Sequence, residues 1–210
     1  MPLISPNAAA VLVSDLIALP DGSCPTISSS KITSLLLAGL FEDHEPEGRN
    51  RRLDVDEIVD FGKSVRYVPS ADAIDLLIYR VSVLPARPNP IYNADGSLLR
   101  PHAGVDYRLD PSSAEFLGGF EMAWSVSADN ADKCADEKAL LLASHKGFVH
   151  PGCIRMITGW FPIEGSTRKG FVTEPADEDI AEFVGRGVFL DIPGGGESGF
   201  LVDGWSSSHP

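Results

Sequence analysis

The feature that most constrains the fold is a basic segment near the N-terminus that leads directly into a helix-forming pattern. Arg49, Arg51 and Arg52 occupy three of four consecutive positions in a chain of 210 residues whose formal net charge is −13. Residues 54–61 (DVDEIVDF) follow, with apolar side chains at helical spacing and acidic side chains in the first turn, where they suit the helix dipole. We therefore expect a polar, positively charged turn and then a helix that starts near residue 54 and ends by Gly62.

Two further helices are predicted upstream of this segment. Residues 7–19 carry a broad apolar face and end at a Pro-Asp-Gly-Ser turn. Residues 29–38 form the second helix, with a serine of the run 28–30 as its N-cap and Gly39 as a left-handed stop. Residues 42–50 are polar and contain a proline and a glycine, as the tip of a hairpin does.

The order of helix, helix, glycine stop, basic hairpin and helix resembles the small winged helix-turn-helix of the excisionase and MerR families over residues 1–65. Residues 8–12 match the first helix, residues 29–37 the second, residues 49–53 the wing strand and residues 56–61 the helix after it. The resemblance implies that the second helix faces the major groove and that the wing contacts phosphates or a narrow minor groove. The DNA-binding side chains that it implies are Ser29, Ser30, Lys31, Ser34, Arg49, Arg51 and Arg52.

An alternative interpretation of the basic segment is that its arginines are neutralised within the hairpin. Four acidic residues lie beside them: Glu42, Asp43, Glu45 and Glu47. Residues 1–100 carry a net charge of −4 and residues 101–210 a net charge of −9, so DNA binding has to rest on a local patch. In this interpretation a winged helix either serves protein contact or does not form.

The pattern changes beyond residue 63. Residues 74–84 indicate a strand, with 71–77 open to helix, and residues 85–111 a proline-rich connector with a hairpin turn at 93–96. The predicted elements of the second half are strands at 120–128 and 153–161, helices at 129–145 and 176–184, and paired strands at 187–192 and 200–202 across a glycine turn at 194–196. We therefore predict an α+β protein in which a winged helix-turn-helix precedes a mixed, β-rich domain with two short helices. The predicted divisions are 1–65 (winged helix), 66–111 (strand and connector), 112–205 (β-rich α+β domain) and 206–210 (tail).

Cysteine and histidine spacing gives one candidate metal set. Cys134, His145, His150 and Cys153 are ligand types that suit zinc, but the paired CxxC motifs of zinc knuckles are missing. The alternative is that the cysteines are small buried hydrophobes. The sequence therefore predicts no metal and no cofactor. These four residues are the candidate ligands in the alternative that zinc binds.

Taken together, these patterns predict a non-enzymatic, sequence-specific DNA-binding regulator or recombination accessory factor. Its partners would be DNA and, through the C-terminal domain, a protein or a second copy of the chain. One alternative is an interaction or assembly protein with an acidic surface, and another is a small enzyme with a pocket at His145 or His150. No run of about 18 apolar residues and no signal-peptide pattern occur, which predicts a cytoplasmic protein with no membrane span.

Overall fold

The computed structural model of the chain describes residues 2–17, 19, 22–45, 50–68, 77–190 and, through backbone pairing, 198–203. Helices and strands are mixed along this part, which confirms the α+β class. The helices are α1 (Pro6–Leu16), α2 (Ser29–Leu37), α3 (Val55–Ser64), α4 (Ala114–Glu121), α5 (Ala128–Asp136) and α6 (Glu178–Val184). The strands are β1 (Leu3–Ile4), β2 (Leu53–Asp54), β3 (Arg66–Val68), β4 (Leu77–Ser82), β5 (Arg87–Tyr92), β6 (Leu98–Ala103), β7 (Leu140–Ser144), β8 (Phe148–Val149), β9 (Ile154–Pro162), β10 (Lys169–Pro175), β11 (Val188–Leu190) and β12 (Ser198–Asp203). Among the described residues, no helix has both the length and the apolar character needed to cross a membrane.

Local capping explains why the first three predicted helices form. Ser5, Ser28 and Asp54 are the N-caps of α1, α2 and α3, and each side-chain oxygen accepts a hydrogen bond from a backbone N–H of the first turn. Such caps satisfy amide donors that have no partner within the helix. The three helices are therefore confirmed, with ends that differ from the predicted ones by at most three residues.

Gly39 ends α2 as predicted, in the left-handed conformation at φ +80°. A β-carbon at this position would lie 2.8 Å from Cγ of Arg108.

We expect Gly39→Ala to lower the free energy of unfolding by about 1–2 kcal/mol, because the left-handed backbone strains any residue with a β-carbon. Gly22→Ala is the matched control, since Gly22 has φ +79° and no atom within 4 Å of an added β-carbon. Chemical denaturation should show a loss for Gly39→Ala at least as large as that for Gly22→Ala, and a smaller loss for Gly39→Ala would contradict this account.

The basic segment does not form a strand of its own. β2 begins after it and pairs antiparallel with β1, with Ile4 opposite Leu53. A backbone hydrogen bond of 3.1 Å from the N–H of His44 to the carbonyl of Arg52 joins the two sides of the predicted hairpin. Its tip, including Arg49, lies outside the described residues. The predicted wing strand at 49–53 is therefore wrong for Arg51 and Arg52, which precede β2. β2 itself is only two residues long, because Asp54 is also the N-cap of α3.

The second half is built on two sheets and a hairpin. The larger sheet has the order β10-β9-β7-β4-β12, in which only the central pair, β4 and β7, is parallel. The smaller sheet has the order β3-β11-β8, and β5 and β6 form the predicted hairpin around residues 93–96. The predicted strand at 153–161 and helix at 176–184 are confirmed as β9 and α6.

Three predictions for this half are wrong. Residues 120–128 are not a strand, because Ser113 caps α4 and that helix continues to Glu121. The helix predicted over 129–145 ends at Asp136, and the buried run Leu140–Ser144 forms β7 instead. β11 and β12 do not pair with each other, because β11 joins β3 and β8 while β12 joins β4. The predicted turn at 194–196, the segment 71–76 and the tail 206–210 lie outside the described residues.

The buried apolar residues form two clusters, and the second spans both halves of the chain. The first cluster surrounds the larger sheet and includes Tyr79, Phe116, Phe120 and Phe171. The second contains the buried faces of α1, α2 and α3, together with Phe148 of β8 and Phe189 of β11. The predicted division at residue 65 therefore separates elements that share one core.

Candidate functional site

An open cleft of about 490 Å³ lies between the start of α1, the middle of α2 and the basic segment. Its lining residues are Ser5, Pro6, Thr33, Asn50, Arg51 and Arg52. All of them except the proline carry a side chain that can donate a hydrogen bond. The cleft therefore presents several hydrogen-bond donors and two guanidinium groups, in a chain whose overall charge is strongly negative.

Pairing between two strands that lie far apart in the chain brings these residues together. The β1–β2 pair holds Ile4 against Leu53, which places Ser5 beside the end of the basic segment. α1 packs through Ala9, Ala10 and Val13 into the same core as α2 and α3, so the start of α1 and the exposed side of α2 become two walls of the cleft.

The two arginines of the cleft are each paired with an acid, as the alternative interpretation predicts. Nη1 of Arg51 donates to Oδ2 of Asp43. Nε of Arg52 lies 3.9 Å from Oε2 of Glu45, and these side chains are 38% and 50% exposed. A surface pair such as Arg52–Glu45 contributes about 0–1 kcal/mol, so an incoming anion can compete with it. Each guanidinium has five N–H donors, and the ion pair with Asp43 or Glu45 involves one nitrogen of each arginine.

The start of α1 adds a weaker positive contribution. α1 has no acidic residue in its first turn, so the positive end of its dipole is not opposed locally. Ser5 is its N-cap and Pro6, which has no N–H, occupies the first turn. This helix end supports the charge of the arginines and is not a site by itself.

The other predicted DNA-binding residues lie at different places on α2. Ser30 is exposed, with its hydroxyl 3.0 Å from that of Ser28, and Ser29 is half-buried. Nζ of Lys31 lies 5.7 Å from the centre of the Phe189 ring. The hydroxyl of Ser34 lies 2.7 Å from Nε2 of His145. Lys31 and Ser34 thus contact the second half of the chain, and the structure does not bring them to the cleft.

Three hydrogen-bonding residues of the lining are not among the predicted DNA-binding residues: Ser5, Thr33 and Asn50. Thr33 follows Ile32 and precedes Ser34 on α2, and it faces the cleft where Ser34 faces His145. A helical projection of residues 29–37 separates these faces, but it does not show which face the rest of the chain covers. Asn50 could have been found, because it lies between Arg49 and Arg51 in the basic segment.

The zinc candidate is not assembled. Within the described residues, no group of three or more His, Cys, Asp or Glu side chains could hold a metal ion. Cys134 and Cys153 are fully buried in the first apolar cluster, which confirms their interpretation as buried hydrophobes. Burial raises the pKa of the Cys134 thiol to about 11 and raises that of Cys153 further above its usual range.

His145 is buried and His150 is half-buried, and neither lines the cleft. Nδ1 of His150 accepts a hydrogen bond of 3.1 Å from the N–H of Gly152. Burial lowers the pKa of His145 to about 4, with a smaller contribution from the charge of Lys146, and burial lowers the pKa of His150 to about 4. Both imidazoles are therefore neutral in the folded protein at neutral pH.

This burial predicts a loss of stability in mild acid. In the unfolded chain both histidines titrate near pH 6.5, so between pH 6.5 and 4 the unfolded state binds more protons than the folded state. We expect the free energy of unfolding to fall by about 2 kcal/mol per histidine between pH 7.5 and 5. Burial raises the pKa of Glu57 and Glu121, which acts in the opposite direction, so the sharper measurement is a difference between variants. Chemical denaturation of His150→Asn should show a smaller pH effect than wild type by about that amount, and an equal effect would contradict the assignment.

The donors of the cleft suit one class of ligand. Guanidinium, amide and hydroxyl groups bind phosphate oxygens, and the described lining residues include no aromatic ring on which a base could stack. The arrangement can therefore bind an anion. Comparison with protein-family models, with curated proteins and with solved structures gives no match for this chain.

Proposed function

We propose that this protein binds DNA through the phosphodiester backbone at the cleft, and that it acts as a transcriptional regulator or recombination accessory factor. One observation carries the proposal: Arg51 and Arg52 line one open cleft with Thr33 and Asn50, in an acidic chain. Phosphate contacts of this kind supply much of the affinity of DNA-binding proteins.

The proposal includes a winged helix-turn-helix for the N-terminal region. Its support is the contact of α1 with both α2 and α3, the end of α2 at Gly39, and the short β1–β2 pair directly before α3. In this assignment the basic segment takes the place of the wing, and the cleft lies between it and α2.

Within the proposal, the contacts at the cleft position the DNA more than they read its sequence. Lys31 and Ser34 contact Phe189 and His145, which leaves Ser29 and Ser30 at the start of α2 for base edges. Phosphate contacts fix register and orientation but carry little sequence information. We therefore expect modest sequence preference, with affinity that falls as salt is added.

A chemical-shift map tests the proposal. On addition of a short mixed-sequence duplex at low salt, the backbone amides of Thr33, Asn50, Arg51 and Arg52 should show the largest changes. An equal concentration of a neutral polymer is the control for non-specific crowding. Changes confined to other surfaces, such as the β5–β6 hairpin with its exposed Tyr92 and Leu98, would contradict the proposal and favour a protein-interaction role.

A further inference from the structure

Side chains of α2 contribute both to the cleft and to a contact with the second half of the chain. Thr33 lines the cleft, and its neighbour Ser34, about 100° further round the helix, contacts His145. Lys31, one turn before Ser34, lies over Phe189, and its Nζ is 3.6 Å from where a β-carbon on Gly147 would be. The position of the cleft wall therefore depends on how the turn at 145–148 holds α2.

His145 holds α2 through a buried polar contact with one nitrogen unsatisfied. The residue is 0% exposed and follows β7, where its N–H donates to the carbonyl of Phe148 at 2.7 Å. Its Nε2 lies 2.7 Å from the Ser34 hydroxyl, whereas its Nδ1 is buried and has no hydrogen-bond partner among the described residues. Because Nδ1 has no acceptor among the described residues, the tautomer that satisfies the neutral ring carries its proton on Nε2, which donates to the Ser34 hydroxyl. Protonation then adds a charge and an N–H at the buried Nδ1, which is strongly unfavourable.

In the part of the chain that the structure describes, the groups that face the ring carry no negative charge. Tyr107 stacks against it with ring centres 6.3 Å apart, and His150 lies on Tyr107 with ring centres 5.0 Å apart. Lys146, next in the chain, adds a repulsive positive charge, and Lys31 is the nearby charged group from α2. Phe148 and Phe189, packed in the same core, are apolar.

We infer that the Ser34–His145 contact is a proton-sensitive latch, in which protonation of His145 releases α2 from the second half of the chain. Because Thr33 is carried on the same helix, release also removes one wall of the cleft. The effect on DNA rests on the proposed function, whereas the latch itself does not.

The size of the effect follows from the two states of the ring. In the latched state burial lowers the pKa of His145 to about 4, while in a released, solvated state the ring has its usual pKa of 6.5. Between pH 7.5 and pH 5 the ratio of released to latched α2 should therefore rise about 30-fold.

Amide hydrogen exchange measures this ratio directly. The opening constant of the α2 amides, corrected for intrinsic exchange, should rise about 30-fold from pH 7.5 to 5 in wild type and in the control His150→Asn. It should change little in His145→Gln, whose amide nitrogen can still reach Ser34. A wild-type protein without this rise, or a His145→Gln protein that retains it, would overturn the latch.

Two further readouts keep the inference testable. If His145→Gln does not fold, wild-type NMR titration decides, since the His145 ring and the α2 amides should share one midpoint and separate midpoints would overturn the latch.

For the cleft, DNA affinity at pH 5 should be lower in wild type than in His145→Gln, and equal affinity at pH 7.5 is expected. If no DNA binds at either pH, the proposed function fails while hydrogen exchange still decides the latch.

Discussion

Replacing Phe189 by alanine is expected to lower the free energy of unfolding by about 3–5 kcal/mol, as large-to-small changes of a buried aromatic do. Phe189 is fully buried, with its ring centre 5.3 Å from that of Phe148 and 6.1 Å from that of Phe61. It joins α3 and the smaller sheet in one core, and Lys31 of α2 lies over it. The variant should therefore destabilise the N-terminal helices and the second half together.

Denaturation followed by two signals tests this coupling. Far-UV circular dichroism reports all the helices, and tryptophan fluorescence reports the second half, which contains Trp124 and Trp160. Both signals should give one common midpoint in wild type and one lower common midpoint in Phe189→Ala. Tyr92→Ala is the control, because Tyr92 is 56% exposed and its loss should change stability by less than about 0.5 kcal/mol. Separate midpoints for the two signals in wild type would contradict a shared core.

Replacing Arg51 and Arg52 together by alanine is expected to weaken DNA binding about 10- to 100-fold at low salt and to reduce the salt slope by about 2. The change removes both guanidinium groups of the cleft and leaves Asp43 and Glu45 without their partners. Because the contacts proposed are to phosphates, the loss should be similar for unrelated sequences. Titrations of labelled duplexes at several salt concentrations measure both quantities.

A charge-matched double variant separates the cleft from net charge. Arg108 and Arg186 are exposed arginines away from the cleft, and their replacement by alanine removes the same charge. Arg108→Ala/Arg186→Ala should bind DNA nearly as well as wild type. If the two double variants lose equal affinity, the effect is one of overall charge and the assignment of the cleft is wrong.

The sequence was sufficient where structure is decided by neighbouring residues. The ends of α2 could be predicted because Ser28 caps it and Gly39 adopts the left-handed stop, and α3 could be predicted from Asp54 and its acidic first turn. The hairpin at 93–96 likewise depends on a local turn, in which the N–H of Asn93 donates to the carbonyl of Ser97.

The sequence was insufficient where the structure of a segment is decided by segments far away in the chain. Residues 140–144 are a fully buried run, and apolar periodicity does not distinguish a buried strand from the end of a buried helix. They form a strand because β4 and β9 flank them in the larger sheet. Strand partners of β11 and β12 are set in the same way, by elements far apart in the chain.

The same distinction between neighbouring and distant residues applies to the candidate site. Charge density was enough to find Arg51 and Arg52, but the choice between the faces of α2 was not visible in its own sequence. The Ser34 hydroxyl contacts His145, 111 residues away, whereas Thr33 lies on an adjacent face of the helix and lines the cleft. The pairing of the arginines with Asp43 and Glu45 corresponds to the alternative interpretation, which rested on their proximity in the chain.

The most direct test of the central claim is the binding of wild-type protein to a fluorescently labelled, mixed-sequence DNA duplex, followed by anisotropy over a range of salt concentrations. Two arginine–phosphate contacts at the cleft predict measurable binding at low salt and a plot of log affinity against log salt with a slope of about −2. Absence of binding at the lowest salt, or binding that does not weaken as salt is added, would contradict the claim that this cleft binds the DNA backbone.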